Sequence, residues 1–506
     1  MPLSRRAFVA ASAAALVGLT RKGERGLSGG FVEDGGDAGH RLRDNAALGP
    51  VRERRRLPLV IVGGGMAGLS AAWWCEKHGF RDYVLLELGD DAGGNARAGR
   101  NDVSGYPWGA HYVPVPGKRA TLARELFADL GVLRGGVWDE RTLCHSPQER
   151  LFWRGEWHEG FEPMLNDSAG DRAEWRRFQD RLDRLRLSGE FTVPVALGRP
   201  ARSALDALTL AQWLDREGFH SRALRWYVDY AVRDDYGTSA RDASAWAGLH
   251  YFVAREPDEK GPLTWPQGNG WIVERLMERV GARVRTGTTV RSITRPRGGR
   301  FVVVRTEDAE FTADACIWAA PIFVAARVIE GFGASPPMTT APWLVANLTL
   351  REWPEERGSA PAWDNTIVDS PGLGYVNATH QRLTRPGGPT VWTYYHALVQ
   401  QAPLEARRAL RALSWRDASE LVLSDLERAH PTLRRVVERV DIRRYAHGMA
   451  RPEPGFLSAS WRTALGASRG PIWYGHADLS GLSIFEEAQD QGVRAARGAL
   501  AQIGRG

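Results

Sequence analysis

The sequence predicts an α/β fold, and three observations carry that prediction. Residues 59–62 (Leu-Val-Ile-Val) are apolar and mostly β-branched, the pattern of a strand buried on both faces. Three glycines then lead into a helix of small residues that starts at Met66. A second apolar run, residues 83–86, ends at Glu87, nineteen positions after Gly68. Strand, glycine turn, helix and strand in that order form a unit with a parallel sheet.

The turn has its own chemistry. Gly63, Gly65 and Gly68 fall on the spacing G-x-G-x-x-G, with Met66 and Ala67 between them. Gly63 permits the tight turn, Gly65 lets backbone approach a pyrophosphate, and Gly68 lets the helix pack close to the sheet. The helix start offers free N–H groups and its positive dipole end to phosphates. Glu87 stands where an acidic side chain accepts hydrogen bonds from an adenosine ribose. Together these residues make a dinucleotide site.

With 506 residues the chain has room for two or three domains, and 43% hydrophobic with 25% charged residues is an ordinary globular balance. The net charge of +7 does not point to nucleic acid: residues 1–56 carry +5 of it, which leaves +2 for the body. The three cysteines, Cys75, Cys144 and Cys316, form no C-x-x-C pair, and the twelve histidines show no ligand spacing, so no metal site is expected. Residues 4–9 (Ser-Arg-Arg-Ala-Phe-Val) with an alanine-rich run to Leu19 resemble a twin-arginine export signal. This resemblance implies export to the periplasm with cofactor already bound, and possible membrane association through residues 1–26. Residues 27–56 mix glycine with charge and read as a linker.

After Glu87 comes Gly93-Gly94-Asn95-Ala96-Arg97, a second glycine pair followed by an arginine able to reach a phosphate. Residues 118–131, 172–187, 207–218 and 224–232 carry apolar side chains at helical spacing. Asp234 and Asp235 follow, read as a solvated helix end in preference to a cation site. From Leu263 a helix over 272–280 precedes short strands at 283–286, 289–293, 301–305 and 315–319. Residues 335–450 are strand-rich, at 343–350, 374–378 and 390–395, with helices over 402–413 and 418–430. Residues 472–478 read as a last strand and turn. Ser483 to Glu486 is a capping-box pattern for a helix reaching about Ile503.

The combination G-x-G-x-x-G, acidic strand end and G-G-x-x-R resembles the flavin-containing amine oxidase and phytoene desaturase superfamily. The resemblance implies a Rossmann-like FAD-binding domain (57–117, 261–330 and 451–506) interleaved with an α+β substrate domain (118–260 and 331–450). It assigns to FAD the residues Gly63, Gly65, Met66, Ala67, Gly68, Glu87, Gly93, Gly94, Arg97, Val290 (adenine), Gly475 and Asp478 (ribityl or pyrophosphate). It also aims the last helix at the flavin. His111, in a segment that this family runs past the flavin ring, is a catalytic candidate beside its reading as a turn histidine. Many members hold a lysine beside the flavin, but this chain has no lysine after Lys260; Asn347 is the nearest match. Tyr394, Tyr395 and Tyr445 are candidates for an aromatic wall, and Tyr395 with His111 and Asn347 makes up the expected catalytic set.

The implied reaction removes a hydride from the carbon beside an amine nitrogen, with electrons passing to oxygen or another acceptor. Desaturation of an apolar alkene precursor and an FAD-binding protein without turnover are the alternatives. A NAD-only dehydrogenase is disfavoured because G-G-x-x-R and the Gly475/Asp478 turn would have no role in it. An acidic group near the flavin favours the amine; an apolar cavity without one favours desaturation.

Overall fold

Two sheets divide the chain between them in the computed structural model, which describes residues 26–504 except 33–34, 45–46, 199–203, 256–260, 297–298 and 383–386. Residues 1–25 of the expected export signal lie outside the described residues.

The first sheet is the dinucleotide unit. Its parallel strands run in the order Val284–Arg285, Tyr83–Leu86, Glu53–Val62 and Ala309–Trp318. On its far side Ala309–Trp318 pairs antiparallel with Val302–Arg305, then parallel with Ile472–Tyr474. Register aligns the ends: Val62 lies opposite both Leu86 and Trp318, and Trp318 lies opposite Tyr474. The residues that follow, Gly63, Glu87, Ala319 and Gly475, therefore leave the sheet along one carboxyl edge, where parallel α/β sheets hold their ligands. The glycine-loop helix, Met66–Lys77, is buried from Met66 through Cys75. The C-terminal helix, Phe485–Ile503, crosses it so closely that a Cβ on Gly492 would lie 2.1 Å from the Ala67 carbonyl oxygen.

The second sheet has eight strands in the order Ser28–Phe31, Val437–Ala450, Thr340–Leu350, Thr390–Ala397, Tyr375–Asn377, Asp364–Ile367, Glu149–Trp153 and Glu156–Glu159. Helices Pro403–Ala412 and Trp415–Leu426 pack against it. The helices Ala169–Arg186, Leu210–Arg216, Arg222–Tyr236 and Ala245–Val253 gather around their own aromatic core.

Three expectations need correction. The segment 27–56 is not a linker: Ser28–Phe31 is an edge strand, Gly36–Arg43 is a helix, and the strand expected at 59–62 begins at Glu53. Region 118–260, expected to be mostly helical, also supplies strands, because the hairpin at 149–159 extends the second sheet. The capping box does not form: Ile484 is the N-cap, and Ser483 Oγ instead accepts the Ala450 N–H at 3.0 Å. That bond ties the last helix to the 437–450 strand.

Candidate active site

An elongated cavity of ≈ 780 Å³ runs along the carboxyl edge of the first sheet. Gly63, Gly65, Glu87, Gly94, Val290 and Asp478 all line it, so segments from both ends of the chain meet in one slot. Gly63 adopts φ +105°, and a Cβ there would sit 2.8 Å from the Ala319 and Ala320 backbone. A Cβ on Gly65 would meet nothing nearer than Gly94 Cα at 4.0 Å, so it would project into the slot. No side chain caps the helix that starts at Met66, which leaves its first-turn N–H groups for a ligand. Glu87 is braced by the Gly64 N–H at 2.6 Å and the Gly89 N–H at 2.8 Å. At the slot's inner end Asn269 is buried, donates to the Tyr112 carbonyl at 3.1 Å, and keeps Oδ1 without a partner. A glycine cradle, a braced carboxylate and an orphaned amide oxygen are what a dinucleotide with a polar ring would satisfy. The residues fit the group.

Not every expected contact stands. Arg97 places its guanidinium on Glu87 at 3.0 Å, where it orients the carboxylate and does not line the slot. Gly475 is a packing glycine: a Cβ would lie 2.9 Å from Ala495 Cβ and from the Gln491 carbonyl oxygen. Gly68 does what its place in the motif demands, close packing of the helix, with a Cβ position 1.9 Å from the Gly63 oxygen. Asp478 lines the slot and accepts the Ile322 N–H at 2.9 Å. Burial opposes its ionisation, but His476 and the Ile322 amide hold its pKa below the ordinary value.

A smaller cavity of ≈ 150 Å³ adjoins the slot, sharing Asn95, Ala110, Asn269, Tyr445, Ile484 and Phe485 with it. The second sheet builds one wall. Trp343 lies opposite Tyr445 and Val345 opposite Tyr395, so three neighbouring strands present these side chains on one face. The Tyr395 hydroxyl donates to the Gly109 carbonyl at 2.8 Å and the Tyr445 hydroxyl to the Trp108 carbonyl at 2.7 Å. These two bonds fix the rings and hold the loop bearing His111. The His111 ring lies 4.8 Å from the Tyr395 ring, and burial depresses its pKa to about 4. His111 is therefore neutral at physiological pH. Tyr394 is elsewhere, donating to Asp425, and Asn347 lines neither cavity. Asn347 donates to the Pro107 carbonyl at 3.0 Å and accepts from Thr393 at 2.7 Å, which makes it a sheet residue and not a catalytic one.

The opposite wall is acidic. Asp234 and Asp235, at the C-terminal end of helix Arg222–Tyr236, line the cavity together with Glu486 and Arg255. The reading of the aspartates as a solvated helix end is thus corrected: they are half-buried and line the cavity. Burial and each other's charge raise Asp234 to about 7. Burial raises Asp235 to about 6, against the pull of Arg255. Glu486 pairs with Arg255 at 2.9 Å and keeps Oε2 unpartnered, at 1% exposure. The negative end of the helix dipole adds to the field. Sequence reasoning places neither Asn269 nor Glu486 at the site: Glu486 reads there only as the end of a capping box, and the G-N-G run at the start of helix Gly270–Val280 is the one local signal for Asn269.

These pKa values predict a pH effect on stability. Asp234, Asp235 and Glu487 (raised to about 8 by burial) lie above their unfolded values, so the folded state holds more protons and loses stability as pH rises through 6–8. Buried His111, His250, His396 and His447, each lowered to about 4, act only below their unfolded value of about 6.5. Between pH 6.5 and 8 only such raised acids count, Glu149 at about 7 among them with part of its effect screened by solvent, and the substrate-free protein should lose about 3–4 kcal/mol. Thermal melts across that range should fall, and the triple variant Asp234→Asn, Asp235→Asn, Glu487→Gln should flatten the slope.

Comparison with known proteins gives a consistent picture. A family model described as flavin containing amine oxidoreductase matches residues 66–500. Amine oxidase [flavin-containing] A of Canis lupus familiaris is 25% identical over 246 residues, which is 46% of this chain and 44% of that protein. Protein anon-37Cs of Drosophila melanogaster is 38% identical over 69 residues, 14% of each chain. The alignments thus span less than half the length of these curated relatives. Among solved structures, a double mutant of putrescine oxidase superposes with TM-score 0.66 at 16% identity, covering 88% of this chain and 100% of that one. Cyclohexylamine oxidase from Brevibacterium oxydans gives TM-score 0.66 at 16% identity over 88% and 99%. At these identities the likeness is one of fold.

Proposed function

The chain belongs to the flavin containing amine oxidoreductase family and is an FAD-dependent oxidoreductase; on that premise we propose that its substrate is an amine, oxidised at the carbon next to nitrogen. The observation that carries the reading is the acidic wall of the small cavity, Asp234 and Asp235 facing Tyr395 and Tyr445 where that cavity opens into the dinucleotide slot. An aliphatic amine arrives as a cation, with a pKa of about 10. The aspartates attract that cation, and the tyrosine rings, fixed by their backbone bonds, offer it an aromatic face.

The neutral amine is the form that is oxidised, so a proton must leave first. An ordinary aspartate near 4 would make the transfer cost about 8 kcal/mol, whereas Asp234 at about 7 lowers this to about 4 kcal/mol. His111, lowered to about 4, is a poor acceptor, and we assign it a packing role against Tyr395. When bound, FAD supplies a two-electron acceptor for the hydride leaving the α-carbon. The substrate becomes an iminium, which water hydrolyses to a carbonyl compound and the released amine or ammonia. The electrons pass onward to dioxygen or another acceptor.

The test is anaerobic mixing of the holoprotein with monoamines, diamines, amino acids and apolar alkenes. Amines should bleach the visible flavin absorbance. Bleaching by an alkene alone would replace the reading with desaturation, and bleaching by none of them would leave a binding protein.

A further inference from the structure

We propose that residues 28–32 and 35–43 form part of the FAD site, as a strap that closes the adenosine end of the slot. The inference concerns retention of the cofactor and does not depend on which substrate is oxidised. The strap is anchored first on the substrate sheet. Ser28–Phe31 pairs in parallel with residues 439–442, Ser28 Oγ donates to the Glu438 carbonyl at 2.8 Å, and the Val32 N–H donates to the Ile442 carbonyl at 2.9 Å.

Residues 35–43 lie against the other domain. Gly35, Gly36, Gly39, His40 and Leu42 line the same cavity as Gly65, Glu87 and Val290. A Cβ on Gly35 would sit 3.1 Å from Leu88 Cδ2, directly after the carboxylate expected at the ribose. Leu42 packs into the apolar cluster that contains Val290 and Leu86. Arg411, on helix Pro403–Ala412, donates to the His40 ring, which ties the strap helix back to the substrate domain. Beyond the strap helix, Arg305 Nη2 donates to the Gly49 carbonyl at 2.6 Å and the Arg52 N–H to the Asp308 carbonyl at 2.7 Å.

The segment is therefore fixed to both domains and spans the slot between them. A dinucleotide on the glycine loop has the sheet edge beneath its adenosine and the strap helix against it. Leaving would require the helix to lift and Leu42 to come out of its apolar cluster. Such a wall acts on the rate of release, because it adds an opening step before dissociation.

The experiment compares the mature protein with two variants, a deletion of residues 27–44 and Leu42→Asp, which detaches the helix while keeping the chain length. Flavin release is followed after dilution by the rise in free-FAD fluorescence, and melting temperatures are recorded with and without FAD. We expect release at least tenfold faster in both variants, and a smaller rise in melting temperature on adding FAD. Gly39→Trp extends the test without cutting the chain: a Cβ at residue 39 meets no atom within 4 Å, and an indole there should fill the slot and lower flavin occupancy. Release at the parent rate from a folded Leu42→Asp protein, or an equal drop in the melting temperatures of the FAD-free and FAD-bound forms, would overturn the proposal.

Discussion

Gly68→Val should yield a protein that purifies colourless. A Cβ at position 68 falls 1.9 Å from the Gly63 carbonyl oxygen and 3.4 Å from Ala319 Cβ, so the side chain overlaps backbone. Gly63 has little room to yield, since even a Cβ added to it would lie 2.8 Å from the Ala319 and Ala320 backbone. The helix start has to move outward, and the first-turn N–H groups move with it, away from the phosphate position. Overpacking of this kind costs about 1–3 kcal/mol in a core. Here the cost falls on the geometry of the phosphate cradle, and a loss of about 3 kcal/mol weakens binding about 100-fold. Gly65→Ala separates the two consequences. Gly65 has ordinary extended backbone angles and an open Cβ direction, so the variant should fold like its parent and still lose flavin, because the methyl stands where the phosphate belongs. The ratio of visible to ultraviolet absorbance, read beside thermal melts, checks both. A yellow Gly68→Val protein would mean that the cofactor does not rest on this helix.

The second large effect lies at the acidic wall. Asp234→Asn with Asp235→Asn removes two negative charges and keeps shape, so the aromatic walls and the slot should be unchanged. A buried charge pair that loses one partner costs about 2–4 kcal/mol, which is about 30- to 1000-fold in kcat/KM for a cationic amine. The pH profile adds a second readout. In the parent enzyme, kcat/KM should rise as pH passes through 6–7, where first Asp235 and then Asp234 ionise. The double variant should lose that limb. An unchanged profile would remove the aspartates from the reaction and leave the cavity without its cation-binding pole.

What the sequence made legible follows a physical line. Gly63, Gly65, Gly68 and Glu87 were readable because a phosphate-binding turn and its acidic partner are local demands on backbone, met within one strand–helix–strand unit, whereas Val290 came only with the family resemblance. Arg97 and Gly475 carry the same chemistry yet spend it internally: the guanidinium orients Glu87, and the missing side chain admits the last helix. Residue type states what a position can do; the fold decides on which neighbour. Asp234 and Asp235 show the same limit from the other side, since nothing in the helix itself says whether its end meets bulk water or a cavity closed by Glu486, some 250 residues later. The strand Val437–Ala450 was not singled out because its arginines interrupt the apolar alternation. The strap went unread because glycine and charge describe a linker equally well.

The pairing of Ser28 with Arg439 has a consequence for biosynthesis. A ribosome working at about 5–20 residues per second needs about 20–80 s to travel between those two codons. Throughout that interval the amino-terminal strand has no partner, because the edge it will join has not yet been made. The far wall of the slot, from Arg444 to Ala488, is made later still, so the cavity and the strand that closes it both have to wait until some nine-tenths of the message has been translated.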